Sequence, residues 1–532
     1  MLQYFSMNSK ILVEKLIAEG WKLSQIRANY SVSDVSGYTA QNLLFLSPES
    51  RVQVKNVLSL ANAFKVSVYP FSRGNNWAFG GRVPYVKGSI LVDLSRMSSI
   101  EDFDAEFGTI RIEPGVSQGQ LCSYLKDKNS KYYLDVTGSG VETSVLGNTL
   151  ERGIAYNSLR AQSLLAMEVM LPDGSVVNTG FSGNKKCDVS SSYGYGLGPD
   201  LRGLFLQSNY GIVLSIVIKL ERIQEQVLSF QVSVSEARVG ELIDSLSILL
   251  SDGVLSCIPH IGDPLRVRST IEPIIRGLPG IKHSEVEYVL RKLNLSDVSV
   301  PIWSCLGSIQ GPVEIIQAKK ALIRKKLARL GDVKFIDEKK IAIFARFFNW
   351  GPFRPMVFFL KGTASLRGLV QGESTSDALK MMNWNPGGFQ QNIVPKSEAF
   401  EDSTYGVIFS VPLTKMTGFS AHKIISHVRA FSADNHLILG MTFNALNSSV
   451  LEAVISFHFD PTSTNLEEIH SLFAKFNRIL IDDGIFPYRM NPDLIKVCWD
   501  IVPHKELSSS LKVAMDPNNI MSPGHYFRFP HL

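Results

Sequence analysis

The sequence predicts an α+β fold in two domains, and three observations carry that expectation. The chain has 532 residues, more than one ordinary core accommodates. Its first part is glycine-rich and mixes short β-type runs with helical segments in no regular βαβ order. Near residue 226 the texture changes to longer alternating runs set among amphipathic helices.

Residues 1–40 read as an N-terminal extension and 41–225 as the first domain. Within it, Ile90–Leu94, Ile110–Glu113, Ser175–Thr179 and Ile212–Leu220 have the β-branched composition and turn-rich flanks of strands. Arg51–Phe64 spaces Val52, Val54, Val57, Leu58, Leu60, Ala61 and Phe64 as a helix does, and Ser117–Lys126 reads as a second helix. Residues 226–470 form the second domain. The alternating runs Phe230–Val234, Val407–Val411 and Val454–Phe459 predict an antiparallel sheet, with Val239–Leu250 and Leu322–Leu330 as helices behind it. Residues 471–532 are too few for a domain and rich in turns, so they are expected to return to the first one.

Composition excludes several function classes. Net charge is +5 and thinly spread, which argues against a nucleic-acid or membrane patch. No apolar run approaches the roughly 20 residues needed to cross a bilayer, and the N-terminus lacks the order of a secretory signal. Five scattered cysteines without a CxxC pair suggest reduced thiols in a cytoplasmic protein. No metal site is expected, since His422 and His427 are five apart and off one helical face. A GxSxG elbow and a Walker loop are also missing.

Three segments carry chemistry. PFSRGNNWAFGG, Pro70 to Gly81, follows a strand-like run and packs glycines and asparagines into a turn whose N–H groups can converge on an anion. The plain alternative is a surface loop. GSGVETSVLGN, Gly138 to Asn148, has Thr143 where a Rossmann turn needs its third glycine. In Tyr193 to Leu220, Gly211 precedes a strand, where glycine often lets backbone approach a flat ligand.

Their order matters more than any one of them. PFSRGNNWAFGG, SILVDLS, RIEPGVS, TSVLGNTLERGIAY, MEVMLPDGSVVNTG and LRGLFLQSNYGIV follow one another, and MDPNNIMSPGHY lies near the C-terminus. This series resembles the FAD-binding domain of the vanillyl-alcohol oxidase and p-cresol methylhydroxylase (PCMH-type) family. The resemblance implies a PCMH-type FAD-binding domain of two α+β subdomains and a cap domain with an antiparallel sheet backed by helices. In that family Ser72, Arg73, Gly74, Asn75, Asn76 and Trp77 would cradle the pyrophosphate of FAD. Ser144, Gly147, Asn148, Ile212 and Val213 would hold the ribityl chain, the adenine and the ring edge.

Substrate would lie between flavin and cap. Tyr488 and Arg489, in FPYRMN, resemble half of the family's Tyr–Tyr–Arg constellation, in which the arginine favours a phenolate. The second tyrosine falls at Phe79, which would line the substrate site but cannot donate a hydrogen bond. The aspartate near the flavin falls at Gly138–Gly140, flanked by Asp135 and Glu142. His525, in SPGHY, stands where relatives place a basic residue, as a proton carrier at neutral pH or a tail histidine without a role.

No histidine occurs in residues 1–259, which rules out a flavin tether in the first loop. A cap tether falls near Val450, Leu451 and Ala453, where neither His nor Tyr is found, so FAD is expected to be non-covalent, with His458 the first suspect otherwise. The resemblance implies an FAD-dependent oxidase or dehydrogenase acting on an alcohol or para-alkylphenol-like small molecule. The alternatives are a flavin-fold scaffold that has lost oxidation, or an FAD enzyme with net non-redox chemistry. Relatives commonly form homodimers, and some pass electrons to a cytochrome, which leaves the acceptor open.

Overall fold

A computed structural model describes residues 7–184, 186–296, 301–347, 351–384, 406–460 and 464–526. Ser50 caps the first long helix, its side chain accepting from Gln53 N at 3.3 Å. That helix, Arg51–Phe64, ends at Lys65 in the left-handed conformation. Its Val54, Val57, Leu58 and Ala61 pack on a four-stranded sheet in the order Ile26–Ser33, Thr39–Leu46, Ile90–Asp93, Val68–Phe71. The residues expected as an extension are integral to this layer. Leu12, Val13 and Leu16 of the helix Met7–Ala18 are buried in its core, and Ile26–Ser33 pairs with Thr39–Leu46.

A second, antiparallel sheet follows, in the order Ile100–Asp104, Thr109–Ile112, Ile212–Lys219, Leu164–Met170, Val176–Asn178. The cap is a nine-stranded antiparallel sheet centred on Gln226–Ser235, Ile302–Gly311, His260–Gly262, Leu439–Ala445 and Val450–Phe459. Helices Val239–Ser251, Val313–Leu327 and Gly418–Asp434 cover one face, burying Leu242, Leu246, Ile316, Ile323, Ile424 and Val428. The other face is left for the site.

The return to the first half begins later than residue 471. Helix Leu466–Asp482 is strongly amphipathic and seals Ile469, Phe473, Phe476 and Leu480 into the cap core. At its C-terminal end Asp483 pairs with Lys423 and His427 at 2.6 Å each. Only after helix Lys505–Met515 does the chain rejoin the first sheet, where Val68 N donates to Ile520 O at 2.7 Å and Ser522 N donates to Val68 O at 2.8 Å. Lys512 locks this return. It is fully buried, donates to Asn209 O and Met521 O at 2.8 Å each, and pairs with Asp516 at 2.7 Å. Lys512→Met leaves the Asp516 charge buried alone and is expected to cost about 3–5 kcal/mol, measured as a fall in Tm.

Candidate active site

The free face of the cap sheet looks into a cavity of about 460 Å³. Side chains alternate across a strand, so each cap strand sends one set to the helix-covered core and the other to the cavity. Met441 and Phe443 go to the core, whereas Thr442 and Asn444 line the cavity. Leu451, Ala453 and Ile455 go to the core, whereas Glu452 and Val454 line the cavity. His260 and Gly262 enter from a third strand. The facing wall comes from the first half, through Asn75, Asn76, Trp77, Phe79, Asn148 and Tyr156.

The first loop owes its course to Gly74, Gly80 and Gly81, all at positive φ. Asp34 accepts from Gly80 N at 3.1 Å and holds the loop from behind. Arg73, expected to face pyrophosphate, is engaged by protein. It pairs with the Glu142 carboxylate and donates to Glu142 O at 2.8 Å and Gly115 O at 3.2 Å. Asn75 also donates to Glu142 O, at 2.9 Å, so the first and second segments are clamped together. Ser72 meets the second segment at Gly147, where a Cβ would lie 3.0 Å from the serine hydroxyl oxygen. Ser144 caps the helix Val145–Leu150, accepting from Gly147 N at 3.0 Å and donating to Pro114 O at 2.6 Å.

Asn148 is different. Its Oδ1 is buried without a hydrogen-bond partner, which is costly unless a ligand supplies a donor. A Cβ at residue 153 would lie 2.2 Å from that oxygen, so Gly153 gives the asparagine its place. A second cavity, of about 330 Å³, shares Asn75 and Trp77 with the first and is lined by Arg73, Gly74, Arg82 and Glu142. The two voids adjoin along the first loop, the arrangement a long ligand needs.

Ile212 and Val213 do not line either cavity. They are core residues of the central strand of the second sheet, in register with Met170 and Val169. Gly211 is small for the same reason: a Cβ there would lie 2.8 Å from Met170 O. Close strand packing, rather than a flat ligand, demands the glycine. Asp135 turns away too, accepting from Asn157 N and Ser158 N at 3.1 and 2.9 Å.

Tyr488 and Arg489 follow the short strand Phe486–Pro487 at the edge of the cap sheet. Gln207 Nε2 donates to Tyr488 O at 3.0 Å, and Arg489 donates to Asn76 Oδ1 at 2.5 Å, so the pair joins cap to first loop. The Arg489 guanidinium lies 4.0 Å from the centre of the Phe79 ring and 3.8 Å from Glu151. Its Nε is buried and has no protein partner. Phe79 itself meets Phe409 edge-on at 6.0 Å.

Three residues that the sequence did not single out complete the cluster. Glu452 accepts from Asn444 Nδ2 at 2.6 Å and stands beside Tyr488 on the cavity wall. Asn444 Oδ1 is 2.6 Å from His260 Nδ1. Because the Asn444 amide donates to Glu452, its oxygen accepts from His260, which leaves the lone pair on Nε2. That nitrogen is buried without a partner. Burial pushes the Glu452 carboxyl up to about 7, against the hydrogen bond from Asn444, the neighbouring Tyr488 hydroxyl and the charge of Arg489. Burial, with the Glu452 charge, raises the Tyr488 hydroxyl well above its usual range.

Glu452 had left a signal in the sequence. It is the one acid in the strand Val450–Phe459, and acids are almost never fully buried without a partner.

His525 is a correction. It stacks between Tyr85 and Tyr526, at 5.0 and 3.9 Å, and burial pulls its pKa down to about 3. It therefore stays neutral across the physiological range, lines neither cavity, and is no proton carrier at neutral pH. His458 lies in the strand Val450–Phe459 and also lines neither cavity.

Comparison with known proteins bears on this architecture. Residues 43–180 match the FAD binding domain family. The chain is 42% identical over 177 residues to 1'-carboxy-chondrochloren decarboxylase of Chondromyces crocatus, a match that spans 33% of each chain. It is 24% identical over 494 residues to the 4-cresol dehydrogenase [hydroxylating] flavoprotein subunit of Pseudomonas putida, covering 89% of this chain and 85% of that one. The fold is that of 4-ethylphenol oxidase from Gulosibacter chungangensis, solved with isoeugenol, at a TM-score of 0.82, 20% identity and 99% coverage of both chains. Among the described residues no helix is long and apolar enough to cross a membrane. Residues 43–180 thus form an FAD binding domain, and with its two mixed subdomains and sheet-and-helix cap the chain has the PCMH-type FAD-binding fold.

Proposed function

We propose that the chain is an FAD-dependent oxidoreductase that oxidises a para-hydroxyaryl small molecule, or a related alcohol, held between the first loop and the cap sheet. The observation that carries this is the Arg489–Tyr488–Glu452 cluster, which faces a cavity whose other wall holds Asn76, Phe79 and Asn148. FAD supplies a two-electron acceptor that takes a hydride from the substrate carbon. The unpartnered Asn148 oxygen suits a ligand with ring N–H groups, as a flavin has. Ser72, Gly74, Asn75, Asn76 and Trp77 would hold its phosphates and ring, with Arg73 bracing the loop and Ser144 and Gly147 shaping the contact behind it.

The chain's own groups then handle the proton. Arg489 offers its free Nε to the substrate oxygen and favours the oxyanion. Tyr488, held protonated, accepts the substrate hydroxyl proton while passing its own to Glu452, which is poised to take it near pH 7. A para-alkylphenol held as its phenolate loses hydride readily, because the quinone methide that remains is neutral. Glu452 thus does from the cap what the missing tyrosine at Phe79 cannot.

The same proposal includes an FAD-binding half, a cap half, dissociable flavin, a cytoplasmic setting suggested by five unpaired cysteines, and a homodimer. Acid precipitation of the purified holoprotein tests the flavin linkage: yellow colour is expected in the supernatant. A yellow pellet would implicate His260, which lines the cavity, ahead of His458. Steady turnover of 4-ethylphenol with oxygen or an artificial dye as acceptor tests the reaction. If no phenol or benzylic alcohol turns over, oxidation of such substrates is wrong.

A second reading rests on the relative named a decarboxylase, 42% identical over its matched third. Hydride loss from the ring-bearing carbon would be followed by cleavage of the bond between the next carbon and a carboxylate. Carbon dioxide would leave, that electron pair would form the alkene and restore the phenolate, and the two electrons removed would pass to bound FAD. Carbon dioxide released in step with flavin bleaching would select this reading, and its absence the simple oxidation.

A further inference from the structure

We propose that Arg266 anchors a carboxylate on the substrate, so that the cavity selects a para-hydroxyaryl carboxylic acid over a neutral alkylphenol. This rests on the reading of the cavity as the substrate site.

Arg266 stands in the first turn of helix Pro264–Arg276, whose cap is Asp263. Its side chain lines the same cavity as Tyr488 and Arg489. Its hydrogen bond to protein is a long one, from Nη1 to Ser456 Oγ at 3.3 Å. Asp263 is engaged elsewhere, accepting from Arg266 N at 2.7 Å and facing Arg429 at 3.7 Å. Among the described residues no carboxylate oxygen is paired with the Arg266 guanidinium, and the residue lines the cavity.

Charge around the cavity points the same way. Three arginines line it, Arg266, Arg367 and Arg489, against one carboxylate, Glu452. Arg367 is answered by Glu338, and Arg489 by Glu151 and Glu452. Arg266 is left with the more distant Asp263 charge, and burial pulls its pKa down to about 10. A cation held out of water with few partners gains most from an anion that arrives with the ligand. The wall beside it offers the hydroxyls of Tyr156 and Thr442, which can donate to a carboxylate.

The spacing gives the ligand its shape. Arg489 sits 4.0 Å from the Phe79 ring, Phe79 is 6.0 Å from Phe409, and Arg266 is 5.9 Å from the Phe409 ring. Two guanidinium groups therefore flank a pair of aromatic rings. A molecule with a phenol at one end, a ring in the middle and a carboxylate at the other matches that order: phenolic oxygen to Arg489, carboxylate to Arg266.

The test compares two probes on the holoenzyme, 3-(4-hydroxyphenyl)propanoate and 4-propylphenol, which share ring and chain and differ in the carboxylate. Anaerobic flavin reduction by the acid is expected to half-saturate at least about 10-fold lower than by 4-propylphenol in the wild type. Arg266→Gln should raise that concentration for the acid by about 10–100-fold and move 4-propylphenol less than about 2-fold, with Arg266→Lys recovering part of the loss. Equal effects on both probes, or no preference for the acid in the wild type, would overturn the anchor. Failure of the oxidation reading is separable from this. If neither phenol bleaches the flavin, thermal shift by 3-phenylpropanoate still reports the anchor: a shift lost in Arg266→Gln sustains it, and no shift in the wild type ends it.

Discussion

Replacing Arg489 by alanine is expected to slow anaerobic flavin reduction by 4-ethylphenol about 10²–10³-fold, the usual loss when a preorganised donor to a developing oxyanion is removed. The guanidinium, carried by the cap-edge segment, is positioned for that duty by groups of the first half: Asn76 at 2.5 Å, Glu151 at 3.8 Å and the face of Phe79 at 4.0 Å. Its Nε is buried and open to a ligand atom. Lysine at this position keeps the charge but loses the planar fork, so it should recover only part of the rate. FAD content and Tm of both variants need to stay near wild type for the loss to be read as chemical. Rates within about 3-fold of wild type, well short of the usual loss, would remove Arg489 from the reaction.

Glu452→Gln is expected to lower the same rate about 10²-fold at pH 8, at the lower end of what a positioned base contributes, and to remove its pH dependence. In the wild type the rate should rise with pH through about 7, where burial has moved the Glu452 carboxyl, because only the carboxylate can take the proton that Tyr488 passes on. Glutamine cannot, and its profile should be flat there. Stability provides an independent check. The folded-state pKa is raised above the ordinary 4.5, so the contribution of this proton to stability is complete below about 4.5 and is lost as pH rises through 7. The Tm difference between variant and wild type should therefore shift in favour of glutamine as pH goes from 5 to 8.

The parts legible in the sequence are those written locally. Helix Arg51–Phe64 is visible because its cap and apolar spacing lie within one short segment, and the first loop because its glycines and asparagines are contiguous. FPYRMN identified Tyr488 and Arg489 by resemblance, and the structure seats both on the cavity wall. What escaped is what sheet order assembles. His260 lies 184 residues before Asn444, which shares a hairpin with Glu452, and only the pairing of His260–Gly262 with Leu439–Ala445 brings the histidine to them. Local pattern shows which face of a strand a residue occupies, but not which strand lies beside it. The misplaced expectations have the same origin. His525 reads as a titratable tail residue until Tyr85 and Tyr526 enclose it, and Gly211 reads as a ligand contact until Met170 O is seen against it.

The most direct test of the central claim is an anaerobic absorbance titration of the purified holoprotein at the oxidised-flavin band, with 4-ethylphenol and 3-(4-hydroxyphenyl)propanoate added in turn. Full bleaching by at least one of them, abolished on the same timescale in Arg489→Ala, is the predicted result. A flavin that stays oxidised with every phenol and benzylic alcohol tried, or one that bleaches equally fast without Arg489, would contradict the account.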